Sequence, residues 1–322
     1  MTSTSLLGEI SRDLSSVESE LVKYARQSNT LLGESSEHLI RAGGKRLRPA
    51  FVLLSGKFFN YDPDRLVPLA VAVELIHMAT LVHDDVIDCA SLRRGIPTVR
   101  ARWGDQVAIY TGDYLFAQAL CLVAKYGNEQ ITRILSEVSL RMCEGEIEQI
   151  ETSGNLDLTL RSYLRRNKRK TALLFSTCCL IGALASGAPE FAVRSLKYYG
   201  YYLGMAFQIT DDVLDFTSSE EVFGKPVCSD LRQGIITLPV IFALRDPCIG
   251  RTLREILVKE EKSESDWKEA LRLIEVSGAL EEAQELGNRY LEKAKKQLEV
   301  LPNSPPRQTL AEVADFIGVR KF

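Results

Sequence analysis

The chain has 322 residues, and 40 basic against 43 acidic side chains leave a formal charge of −3; with no basic excess, a general nucleic-acid binder is not expected. Hydrophobic residues at 45% and charged residues at 26% are ordinary globular values, which exclude a disordered, collagenous or disulfide-scaffold chain. Seven cysteines, an odd number without a CxxC pair, lie in apolar stretches and read as small buried hydrophobes of a reducing, cytoplasmic compartment.

The N-terminus, MTSTSLLGEISRDL, has neither a cationic nor an apolar targeting region, so secretion is not expected. Apolar residues recurring with a 3.6 period predict helices over 66–88, 108–124, 131–150, 160–186, 195–216 and 266–298. Eleven prolines occur, and none lies between Thr98 and Ala188; proline costs about 3 kcal/mol inside a helix, so that gap suits successive helices. Breaks are expected at 60–64, 93–98, 187–189, 224–229 and 301–306. None is long or biased enough for a linker. The run 171–189 is uncharged but carries Thr, Ser, Cys, Gly and Pro, and it reads as a buried helix rather than a transmembrane segment. The fold class expected is all-α, one domain of long packed helices over 1–322.

Two helix ends carry the same cluster: LVHDDVID, with Asp84, Asp85 and Asp88, and QITDDVLD, with Asp211, Asp212 and Asp215. On a helix Asp84 and Asp88 share a face, Asp85 lies about 100° round the axis, and His77 sits two turns earlier on the same stripe. Gln208, Asp211 or Asp212, and Asp215 form the matching stripe. One acidic cluster is usually a solvated face, but two DDxxD clusters, each closing an apolar helix, call for a compensating cation. Hard carboxylate oxygens without soft ligands suit magnesium, which keeps waters and shares substrate phosphates. Three histidines and no HExxH give no support for zinc.

Basic residues flank these clusters. GGKRLRP holds Lys45, Arg46 and Arg48 behind two glycines; LRRGIPT holds Arg93 and Arg94; LRRNKRKT ends in Lys170 and Thr171; GKP supplies Lys225. Singly each is more often a solvated face. Together they describe a site for phosphorylated substrates, and the lack of a full GxxxxGKS pattern argues against a nucleoside triphosphate.

In order along the chain, GGKRLRP, ELIHMATLVHDDVIDCASLRRGIPT, KRKTALL and FQITDDVLDFTSSEEVFGKPVCSDL resemble the trans-prenyl diphosphate synthases, from about Gly43 to the C-terminal IGVRKF. Within that family GEIEQI, YLRRNKRKTALL and YYGYYLGMAFQITDD are most similar to the catalytic component of two-component bacterial heptaprenyl diphosphate synthases. The resemblance implies an isoprenoid synthase fold with helices around a central cavity. It implies Mg2+ held by Asp84, Asp88 and Asp211, with Asp215 indirectly, on an allylic diphosphate. Arg93, Lys170 and Lys225 would add positive charge to that diphosphate; Lys45, Arg48, His77 and Arg94 match the positions that hold isopentenyl diphosphate; Thr171 and Gln208 match those that stabilise the allylic cation. A small component I, a dimer, and a heptaprenyl product for menaquinone side chains are the further expectations, with hexaprenyl or octaprenyl synthesis, a terpene cyclase and a non-catalytic prenyl-binding subunit as alternatives. Cys228 departs from the family's usual glycine before Ser-Asp. Ala79 and Thr80, small residues one turn before Asp84, imply a tail passage that short-chain members block with aromatic side chains.

Overall fold

The computed structural model describes residues 7–27, 30–217 and 228–318. Among them the chain is all-α except for one two-residue hairpin, Leu92–Arg93 paired antiparallel with Ile96–Pro97. Arg94 and Gly95 turn that hairpin with φ of 53° and 77°, the two positive values whose twist suits a two-residue connection.

The long helices are Pro63–Ile87, Asp105–Tyr126, Glu129–Glu151, Glu190–Thr217 and Ala279–Leu298. Pro63–Ile87 starts where Asp62 accepts the Asp64 N–H at 3.0 Å and Pro63 takes the first helical position, where a missing N–H costs nothing. Two of the helices expected from periodicity are interrupted. The 160–186 segment divides into Leu160–Asn167, a π-helical turn Lys168–Ala172, and Leu173–Ala185. The sequence after the turn is apolar on nearly every side, so it holds no phase that an inserted residue would shift. The 266–298 segment breaks at Gly278, whose φ of 73° ends Glu264–Val276 in the left-handed conformation glycine supplies. The expected breaks at 60–64, 93–98, 187–189 and 301–306 fall between helices, and that at 224–229 lies mostly outside the described residues.

Two compact units emerge from one chain that the sequence gives no reason to divide. One comprises Met1–Ser139, Leu174–Gly200 and Gln297–Val313, the other Leu140–Leu173, Tyr201–Lys296 and Ala314–Phe322. The first is centred on Pro63–Ile87, which buries Leu66, Leu69, Val73, Leu75 and Ile76. Phe51 stands 5.4 Å from Phe175 and 6.4 Å from Tyr199, ring centre to ring centre, and Gly182 lets Leu173–Ala185 approach the Val52 carbonyl more closely than any side chain would allow. Pro63–Ile87 and Asp105–Tyr126 are long and apolar enough to cross a membrane by length and composition. Burial separates them: 67% of the most apolar stretch of the first is buried but only 39% of the second, which exposes Ile109, Tyr110 and Leu120. The uncharged Leu173–Ala185 is buried along most of its length, as expected.

The second unit has its own core, in which Tyr163, Ile209, Val213, Phe216, Leu238 and Ile274 pack together. At about 25 cal/mol per Å2, side chains of this size each contribute roughly 1.5–3 kcal/mol on burial.

Candidate active site

Both acidic motifs show the same division of labour. In the first, Asp84 and Asp88 are half-buried while Asp85 is buried. In the second, Asp211 and Asp215 are half-buried while Asp212 is buried. The outer pair of each motif, four residues apart on one helix face, is accessible; the inner aspartate continues the apolar stripe. Met78, Val82 and Asp85 recur on one face, as do Ile209, Val213 and Phe216 around Asp212. Accessible hard oxygens in pairs suit a magnesium ion that completes its shell with water and phosphate, so Asp84, Asp88, Asp211 and Asp215 fit the metal expected. Among the described residues no three or more His, Cys, Asp or Glu side chains form a self-sufficient cage.

In the first unit the hairpin brings Arg93 back onto Asp85, with Nε and Nη2 both 2.8 Å from Oδ1. Arg93, expected to face a diphosphate, is thus bound to the inner carboxylate. Arg94 lies against Gly44, at a distance an added methyl would close to 2.7 Å, which joins LRRG to GGKRLRP. Arg46, left-handed at φ 48°, anchors that loop from within: its guanidinium binds Glu18, Glu74 at 2.7 Å and the Ile40 carbonyl at 3.2 Å. Arg46 is 8% exposed, and it is a structural neighbour of Lys45 and Arg48 rather than a free cation. Arg48 stacks over Phe175 at 5.0 Å. Burial, followed by the charges of Arg48, Arg94, Arg93 and Arg46, holds His77 well below its ordinary value, so its imidazole is neutral. Arg48, His77, Arg93 and Arg94 are therefore one electrostatic group.

In the second unit the π-helical turn presents Lys170 and Thr171. Such turns insert one residue into a helix and re-aim the side chains beside it. Lys170 Nζ lies 2.8 Å from Glu146 Oε2. Thr171 Oγ1 donates to Gln208 Oε1 at 2.8 Å, Gln208 Nε2 donates to Asp212 Oδ1 at 2.9 Å, and the Tyr163 hydroxyl donates to Asp212 Oδ2 at 2.5 Å. Burial and the like charge of Asp230 push Asp212 up to about 7, against the bonds from Tyr163 and Gln208 and the charge of Arg166. Asp215 accepts the Asp230 N–H at 3.2 Å, which ties the second motif to Ser229–Arg232.

Sequence reasoning missed Glu146, Tyr163 and the inner aspartates' partners. The signal for Glu146 was present in GEIEQI: Gly145 lets its helix touch the π-helical turn, since a methyl there would lie 2.9 Å from Arg169 Cβ and 3.0 Å from Lys170 N. Glu148 binds Arg165 and Arg169 from the same helix. Lys225 lies outside the described residues.

Residues 29–274 match the polyprenyl synthetase family. The chain belongs to that family. It is 47% identical over 310 residues to heptaprenyl diphosphate synthase component 2 of Bacillus subtilis (strain 168), covering 96% of this chain and 88% of that one. Heptaprenyl diphosphate synthase from Staphylococcus aureus superposes with a TM-score of 0.92 at 38% identity, over 97% of this chain and 98% of that chain. A polyprenyl synthase from Caulobacter crescentus CB15, solved with calcium and isoprenyl diphosphate, gives 0.93 at 35% identity, over 99% and 98%. Polyprenyl synthetase membership gives Cys228 a physical reading. Its φ of 61° is a left-handed position that glycine takes freely and other residues take at a cost of about 1–2 kcal/mol. Cysteine here adopts the glycine conformation, and its N–H still reaches the Asp215 carbonyl at 2.9 Å.

Proposed function

We propose that the chain is a trans-polyprenyl diphosphate synthase, one catalytic domain over 1–322, that condenses isopentenyl diphosphate with an allylic diphosphate to a heptaprenyl product used for menaquinone side chains. The observation that carries this reading is the repeated acidic motif, accessible in its outer pair and anchored through its inner residue. When bound, magnesium supplies charge neutralisation of the leaving diphosphate and so lowers the barrier to carbon–oxygen cleavage. Asp84 and Asp88 would hold magnesium in one motif, and Asp211, with Asp215 indirectly, in the other. Lys170 adds positive charge to the allylic diphosphate, as does Lys225, while Arg93 contributes its charge from its pair with Asp85. Thr171 and Gln208 turn oxygen lone pairs toward the allylic cation, a preorganised electrostatic stabilisation. Lys45, Arg48, Arg94 and the neutral His77 orient isopentenyl diphosphate, whose double bond attacks that cation. The proton then lost passes to the departed diphosphate, so no aspartate serves as general base.

The relative from Bacillus subtilis is named component 2, which supports a small component I as partner. A dimer is supported by the exposed apolar Ile109, Tyr110 and Leu120, and a cytoplasmic location by the seven free cysteines, of which Cys178, Cys179 and Cys228 are buried as expected while Cys89, Cys121, Cys143 and Cys248 are exposed. Labelled isopentenyl diphosphate, an allylic primer and Mg2+, incubated with and without component I, test the reading. A linear heptaprenyl product supports it, a different linear length revises the product, a cyclic hydrocarbon makes the chain a cyclase, and no turnover in either arm refutes it.

A further inference from the structure

We infer that Asp212, backed by Tyr163, is a positioning residue that fixes which end of the Gln208 amide faces Thr171, and so the polarity of the groups offered to the allylic cation. This rests on the synthase reading above. An amide has two ends of nearly equal shape and opposite hydrogen-bonding character, and a glutamine can present either. What selects between them is the chemistry of its neighbours.

Asp212 settles that choice because both of its oxygens accept, Oδ2 from the Tyr163 hydroxyl at 2.5 Å and Oδ1 from Gln208. Gln208 must turn Nε2 toward Asp212 Oδ1, 2.9 Å away, which leaves Oε1 toward Thr171. Thr171 has one hydroxyl proton, and it is committed to that oxygen at 2.8 Å. The remaining lone pairs of Thr171 Oγ1 and Gln208 Oε1 are then available to a developing positive charge. With the amide reversed, Nε2 would donate to Thr171 and present a positive dipole end instead.

Tyr163 keeps Asp212 in place. Its hydroxyl donates to the other carboxylate oxygen at 2.5 Å, and its ring is fully buried. Asp212 itself is 3% exposed, on the helix face it shares with the core residues Ile209 and Phe216. A leucine would fill that position without the penalty of burying a carboxylate, so the acidic group is doing something an apolar one cannot. Turned inward about 100° from Asp211 and about 60° from Asp215, it is spatially distinct from the accessible pair.

Asp212→Asn is nearly isosteric, keeps an acceptor for Tyr163, and offers an NH2 to Gln208, so the amide turns over. The kcat for elongation is expected to fall on the order of 10- to 100-fold, as when one preorganised group of an electrostatic site is lost. The dissociation constant for a non-ionising allylic thiodiphosphate with Mg2+ is expected to stay within about twofold, because diphosphate and metal contacts are untouched. The double variant Asp212→Asn/Gln208→Glu, which restores an acceptor oxygen toward Thr171, is expected to recover most of the lost kcat. The Gln208 side-chain amide 15N–1H signals are expected to be protected from solvent exchange in the wild type and shifted in Asp212→Asn, a readout that needs no turnover. Wild-type kcat in Asp212→Asn, a parallel loss of analogue binding, no recovery in the double variant, or unchanged amide signals would each overturn the inference. If Asp212→Asn fails to unfold cooperatively, Tyr163→Phe carries the test, with a smaller kcat loss at unchanged analogue binding expected and wild-type kcat overturning it. A wild-type chain that elongates nothing refutes the synthase reading, while the amide signals still report on the lock.

Discussion

A single methyl group at Gly145 tests whether the π-helical turn sets the reacting groups. An added Cβ would stand 2.9 Å from Arg169 Cβ and 3.0 Å from Lys170 N, where unstrained carbon contacts lie at about 3.5–4.0 Å. Neither neighbour can rotate away, since one is backbone and the other is bonded to it. The turn must therefore withdraw by roughly 0.5–1 Å. Alanine favours the Glu129–Glu151 helix by about 0.5–1 kcal/mol, while overpacking costs about 1–3 kcal/mol. The two nearly offset, leaving a net loss of roughly 0–2.5 kcal/mol and a Tm lowered by less than about 10 °C. Activity is more sensitive: Lys170 and Thr171 move with the turn, and a misplacement of about 1 Å costs up to roughly 100-fold. Gly145→Ala is expected to melt close to wild type and to show a kcat reduced about 10- to 100-fold, a milder version of Lys170→Ala. Steady-state elongation at saturating substrates, with a thermal melt on the same preparation, measures both. A folded Gly145→Ala protein with wild-type kcat refutes the reasoning.

Asp84→Ala or Asp211→Ala is expected to lower kcat by roughly two orders of magnitude or more, and chelation of divalent cations to abolish elongation until Mg2+ is returned; near wild-type kcat in both variants removes the metal assignment. Lys45→Ala and Arg48→Ala are expected chiefly to raise KM for isopentenyl diphosphate and Lys170→Ala chiefly to slow ionisation, so reversed effects in substrate-variation kinetics would exchange the two subsites. His77 is held well below its ordinary value in the folded chain, so the unfolded state binds its proton first as pH falls: its stabilising effect is complete above about pH 6.5 and is lost below it. Denaturation midpoints at pH 7 and pH 5 should differ less in His77→Asn than in wild type, and equal differences would show that another group is responsible. Ala79 is 2% exposed on the helix that carries Asp84, so Ala79→Phe is expected to shorten the product while the first condensation survives; wild-type chain length at wild-type rate would place the tail elsewhere.

Much of the site was legible because its parts are contiguous in sequence. DDVID, DDVLD, GGKRLRP and KRKT each sit on one helix end or turn, so local spacing sufficed to mark them. Which aspartate of each motif turns inward was also written in the sequence, though less openly: Asp85 falls in step with Met78 and Val82, and Asp212 with Ile209, Val213 and Phe216, so each inner aspartate interrupts an apolar stripe. The π-helical turn was not legible, because LLFSTCCLIGALA after it offers no polar face to lose its phase. The grip of Asp85 on Arg93 depends on a two-residue hairpin whose positive φ at Arg94 no propensity announces. Glu146 and Tyr163 meet their partners across long separations in sequence, and periodicity carries no information at that range.

The inner aspartates give the two motifs different electrostatics despite identical spacing. Three carboxylates on one helix end repel one another, and each motif must reduce that charge before any cation binds. The first does so with a cation, since Arg93 contributes two donors to Asp85 at 2.8 Å. In the second the hydrogen-bond donors to Asp212 among the described residues are neutral, a phenol and an amide, so its charge is met by two hydrogen bonds rather than by an ion pair. Asp85→Asn should therefore release a guanidinium toward the outer pair, whereas Asp212→Asn releases none. The first substitution frees a cation to face Asp84 and Asp88; the second exchanges a hydrogen-bond acceptor for a donor beside Gln208 and frees no cation. A comparison of their Mg2+ dependence separates the two: Asp85→Asn is expected to require more Mg2+ for half-maximal rate, and Asp212→Asn to keep the wild-type requirement while losing kcat. Equal Mg2+ dependence in the two variants would mean that the inner aspartates act alike, and that Arg93 does not distinguish the motifs.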